Sequence, residues 1–109
     1  MAAFKFEDEK LNLILEKLVP EFQPTRIFLF GSRSKGSAHE NSDYDLLLLV
    51  QKSDLSRHER MSKALTALWG CGVKVDVFIY TEDEFNEWKN DFSSIPHTVM
   101  TEGLELKVG

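Results

Sequence analysis

The run Asp43 to Val50, D-Y-D-L-L-L-L-V, constrains the fold more than any other stretch of the chain. Successive side chains of a strand point to opposite faces, so an unbroken aliphatic run leaves neither face for water. The segment reads as a strand buried on both faces, with two carboxylates at its entrance. Asp43 and Asp45 share one face, which continues as Leu47 and Leu49. Whatever folds around this strand must cover both sides of it.

The flanking sequence supplies candidates. Leu11, Ile14, Leu15, Leu18 and Phe22 recur at helical spacing, predicting an amphipathic helix from about 7 to 19 that ends before Pro20. Arg26 to Phe30 is a short apolar strand that stops at Gly31, and small polar residues run from there to Ser42. After the leucine strand, Ser53, Asp54 and Ser56 offer N-caps for a helix over about 55–69. Its apolar stripe is Met61, Ala64, Leu65 and Leu68, and Gly70-Cys71-Gly72 ends it. Val73 to Tyr80 is a third strand. Thr81 to Glu84 is a capping box that opens a helix with Phe85, Trp88 and Phe92 on one face. A short helix near Pro96 to Glu102 and an extended Leu104 to Val108 follow. The expected architecture is α/β (α+β): a small mixed sheet with helices packed mainly on one face, in a single domain over residues 1–109. The aspartate-side surface then needs cover from the C-terminal segment and from a second chain.

Three carboxylates carry the chemistry. Asp43 and Asp45 stand side by side, and two carboxylates a few ångströms apart repel by roughly 1–4 kcal/mol, which a shared proton or a cation would offset. Asp76 is a single charge within V-K-V-D-V-F-I-Y, costly in an apolar strand unless paired or metal-bound. If this strand lies beside Asp43–Val50, the three converge into a frame for two metal ions. Hard oxygen ligands favour Mg²⁺ or Mn²⁺, because no Cys or His stands at zinc-ligand spacing. Gly31 and Ser32 can offer backbone N–H groups and a hydroxyl to phosphate oxygens. Arg33 and Lys35 stand near enough to neutralise charge, and Gly36 frees the loop. The spacing is not that of a Walker A loop.

Gly31-Ser32, ten residues, then Asp43-Tyr44-Asp45 resembles the G-S-x₁₀-D-x-D signature of the DNA polymerase β-like nucleotidyltransferase superfamily. The surrounding F-L-F-G-S-R-S-K-G-S-A-H-E-N-S-D-Y-D-L-L-L-L-V is similar to its minimal nucleotidyltransferase (MNT) branch. Asp76 falls where that family carries a third acidic residue. The resemblance covers about Arg26 to Tyr80 and extends more loosely to the first helix and the E-G-L-E-L tail. It implies that Ser32 contacts the terminal phosphates, that Asp43 and Asp45 bind both metals, and that Asp76 completes one metal site and helps deprotonate an acceptor hydroxyl. It also implies transfer of NMP, with ATP the expected donor, and a partner: many MNT proteins are antitoxins paired with an all-helical HEPN toxin. A non-catalytic antitoxin that occludes its partner is the alternative.

Charge and composition narrow the setting. A net charge of −5 argues against a domain that binds long nucleic acid alone but leaves room for a metal–nucleotide. No run is long enough for a membrane span, and one cysteine, Cys71, cannot form an internal disulfide, so a cytoplasmic setting is expected. His39, His58 and His97 lack partner spacing and read as surface residues.

Overall fold

The computed structural model describes residues 8–31 and 43–106. Eight elements follow in order: α1 (Glu9–Phe22), β1 (Arg26–Phe30), β2 (Tyr44–Val50), α2 (Arg57–Ala67), β3 (Val75–Thr81), α3 (Glu82–Trp88), α4 (Ile95–Glu102) and β4 (Leu104–Leu106). The strands form one sheet in the order β3-β2-β1-β4. β1 pairs antiparallel with β2 and β4, whereas β2 and β3 run parallel across the α2 connection.

The leucine strand sits inside this sheet, as its composition requires. Leu46, Leu48 and Val50 join Ile27, Leu29, Val77 and Ile79 under α1 and α2. Leu47 and Leu49 join Phe28, Phe30 and Tyr80 on the other face. The two long helices thus share one face. The two short ones close the aspartate side: Phe85 of α3 stacks on Phe28 at 6.1 Å between ring centroids, and Val99 of α4 is buried beside them. The cover assigned in part to a second chain is supplied over Leu47, Leu49 and Tyr80 by α3 and α4, with Phe78 left partly exposed.

Local expectations hold with three corrections. The capping box at Thr81 is present with both bonds, and Ser56 caps α2 with a box of its own through Glu59. α1, however, runs through Pro20 to Phe22. A proline there removes only one backbone bond, in the last turn. Gln23 takes a left-handed conformation (φ 48°) and donates to the Val19 carbonyl, which ends the helix a turn later and brings Phe22 against the core. The inward stripe of α2 is Arg60, Ala64 and Leu68, while Met61 and Leu65 face out, Leu65 at 54% exposure. The helix is turned to bury Arg60, whose guanidinium bonds the carbonyls of Leu55 and Ile79 and both oxygens of Glu84. Finally, Phe85 is core but Phe92 is 88% exposed, because α3 stops at Trp88 and the chain turns away.

Among the described residues no helix is long and apolar enough to cross a membrane. The expectations on Ser32, Arg33, Lys35, Gly36, His39 and Val108 lie outside the described residues. His58 is exposed, and His97 is half-buried with its ring edge-on to Phe92 at 5.2 Å. Cys71 belongs to the turn after α2, donating its N–H to the Leu68 carbonyl.

Candidate active site

The sheet register brings two of the three acidic residues together. Parallel pairing puts Asp45 opposite Asp76, and the antiparallel pairing on its other side puts Asp45 opposite Phe30, one residue before Gly31. β2 therefore holds one carboxylate between a neighbouring carboxylate and the end of β1. Gly31 has φ +73°, a conformation that side chains disfavour, and a Cβ placed there would come 2.2 Å from Asp45 Oδ2. Two independent constraints thus select glycine: the backbone turn and the room Asp45 needs.

Asp45 is half-buried, whereas Asp43 and Asp76 are exposed. Burial pushes the Asp45 carboxyl above the ordinary carboxylate range. The charge of Asp76, a hydrogen bond shared with it, and the charge of Asp43 push the same way. These groups together hold an excess of negative charge that a cation would relieve. Their donors are all carboxylate oxygens, which suits Mg²⁺ or Mn²⁺. Among the described residues no three His, Cys, Asp or Glu side chains are already gathered into a metal cage. What stands ready is the Asp45–Asp76 pair, with Asp43 two residues upstream.

Tyr44, between the two aspartates, points the other way into the core and is 1% exposed. Its hydroxyl donates to Asp8 Oδ2, and its N–H donates to the Lys74 carbonyl at 3.0 Å. Sequence reasoning missed this tether. The available signal was an aromatic hydroxyl alternating with two acids at the mouth of an apolar strand, since a buried Tyr O–H needs an acceptor.

Further along the aspartate face of β3, two neighbouring concavities of about 260 and 300 Å³ share Arg57 and Tyr80. Arg57 Nη1 donates to the Tyr80 hydroxyl at 3.1 Å, and its guanidinium lies 5.1 Å from the ring centroid. Phe78 lines the first and Trp88 the second, and neither wall includes the three aspartates.

A sequence model described as polymerase beta, nucleotidyltransferase, matches residues 9–90. The chain belongs to this family. The match spans α1 through α3, including Gly31 and all three aspartates. No curated protein matches the chain. Among solved structures it is similar to a toxin–antitoxin determined with AMP-PNP: 26% identity, TM-score 0.51, covering 95% of this chain and 75% of that one. A candidate nucleotidyltransferase from Sulfolobus solfataricus shares the fold at 23% identity and TM-score 0.57, covering 72% of this chain and 70% of its own. A mutant of the toxin–antitoxin MntA–HpeT does so at 24% identity and TM-score 0.51, with 96% and 75% covered. The mixed four-stranded sheet with its helices is thus a nucleotidyltransferase fold.

Proposed function

We propose that the chain is a single metal-dependent nucleotidyltransferase domain that transfers AMP from ATP to a hydroxyl on a partner protein. The observation that carries the reading is the in-register Asp45–Asp76 pair abutting Gly31, inside the segment matched by the family. Asp43, Asp45 and Asp76 would hold the ions, and phosphate binding is assigned to Gly31, Ser32 and Arg33. Bound there, a pair of Mg²⁺ (or Mn²⁺) ions would supply charge neutralisation for the triphosphate and the reacting oxygens. The acceptor oxygen attacks the α-phosphorus, the bond to the bridging oxygen breaks, and pyrophosphate leaves with that electron pair. Asp76, exposed at the end of the pair, helps take the acceptor's proton. The chain's remaining contribution is positioning: the sheet fixes Asp45 against Asp76, and Gly31 leaves Asp45 its room.

The likeness to a toxin–antitoxin with AMP-PNP supports ATP as donor and a partner protein as acceptor, and we assign that partner to the helical HEPN class. A cytoplasmic setting fits both. The test incubates the chain with its partner, Mg²⁺ and α-labelled ATP beside an Asp43→Asn/Asp45→Asn variant. Label on the partner with wild type alone is expected. Neutralisation of the partner that survives in the variant, with no label anywhere, overturns transfer and leaves an occluding antitoxin.

A further inference from the structure

We infer that Tyr44 is a positioning residue for the flanking aspartates, tethered through its hydroxyl to the N-cap of α1. The inference rests on the metal-site reading above and concerns what holds that site in shape. Asp8 divides its carboxylate: Oδ1 accepts from the N–H groups of Lys10 and Leu11 and so starts α1, while Oδ2 accepts from the Tyr44 hydroxyl. One side chain therefore fixes the first turn of a helix and the first residue of β2 together.

Residue 44 is held at its backbone as well. Its N–H reaches the Lys74 carbonyl, two residues before Asp76 on the neighbouring strand. With both ends of Tyr44 fixed, the segment Asp43–Asp45 can turn little about the strand axis. Asp43 stands outside β2 itself and is exposed, so it gains most from a rigid neighbour.

Core filling alone would be served by phenylalanine. A buried hydroxyl is retained at a cost unless it is bonded, and here the acceptor is an anion, which gives a short, directional link. Partners bonded directly to a metal ligand typically alter metal affinity by about 10–100-fold when removed; Tyr44 acts one step further away, through the backbone, which puts its effect at the lower end, about tenfold.

The experiment titrates Mn²⁺, read by electron paramagnetic resonance, into the metal-free chain. It compares wild type, Tyr44→Phe, Asp8→Ser, the double variant, and Ile14→Val. Serine keeps an N-cap acceptor but is too short for Tyr44, and Ile14→Val lowers stability inside the same core without touching the tether. The expected result is Mn²⁺ binding about tenfold weaker in Tyr44→Phe and in Asp8→Ser. The double variant should be no weaker than either, and Ile14→Val should match wild type. Tyr44→Phe binding within twofold of wild type overturns the inference, as does an equal loss in Ile14→Val, which would reduce the tether to general stability. Wild type that binds no Mn²⁺ removes the metal site itself, and the inference with it.

Discussion

Replacing Asp45 by Asn removes the charge that the metal-free site accommodates least well. Neighbouring strands lie about 4.8 Å apart, and Asp45 and Asp76 are directly opposite. Two unit charges at that separation repel by about 1 kcal/mol at the dielectric of water and by about 3.5 kcal/mol at an effective dielectric of 20. Asp45 is half-buried and Asp76 exposed, so solvent screening puts the net effect near the lower figure, about 1 kcal/mol. The raised pKa of Asp45 fixes the sign. Its contribution to stability is fully present below the ordinary aspartate value and is lost as pH rises through the folded-state value. At pH 7 in EDTA, Asp45→Asn should therefore melt about 4 °C above wild type, and the gap should close below about pH 4. Mg²⁺ should reverse the order, because an ion at a hundred times its dissociation constant adds about 2.7 kcal/mol to wild type alone. Scanning calorimetry with and without metal reads both halves. A variant less stable than wild type in EDTA, or equal stabilisation of both by Mg²⁺, would refute the account.

Gly31→Ala should lower stability by about 1–2 kcal/mol and weaken Mn²⁺ binding at once, since the new methyl collides with Asp45 Oδ2 at a positive φ; a urea titration beside a metal titration checks the pairing of the two losses. Glu84→Gln should cost about 2 kcal/mol by urea, because Arg60, 4% exposed, loses its anion while Glu84 itself keeps some solvent. Glu84 is held down to about 2, chiefly by its hydrogen bond to Arg60, so its contribution is complete above about pH 4.5 and lost as pH falls towards 2. Wild type should accordingly show a steeper acid limb than Glu84→Gln, and parallel limbs would count against the ion pair. Phe92→Ser should change stability by less than about 0.5 kcal/mol, given its exposure.

The strands and the Asp45–Asp76 pairing were legible in the sequence because both rest on period-two alternation, which burial makes strict. Leu46 and Leu48 face one core and Leu47 and Leu49 the other, as an unbroken aliphatic run demands. Helix faces were harder. Arg60 is a polar residue at the centre of an inward stripe, and no hydrophobic pattern reveals an arginine buried to meet a glutamate 24 positions away. Pro20 reads as a stop because its ring opposes helix, yet packing of Phe22 outweighs one missing hydrogen bond. Trp88 and Phe92 have helical spacing, but the helix ends between them. The Tyr44–Asp8 link joins segments distant in sequence, and only tertiary structure brings an acceptor to that hydroxyl.

The Arg60 clamp bears on how this chain behaves at high concentration. Among the described residues β3 is an edge strand carrying V-D-V-F-I-Y, the kind of apolar β-branched segment that recruits further strands and seeds aggregates. Arg60 already engages the Ile79 carbonyl, and the described part of the strand at the opposite edge, β4, is Leu104–Leu106. The residue that joins α2 to Glu84 therefore also leaves β3 one acceptor fewer for an incoming strand.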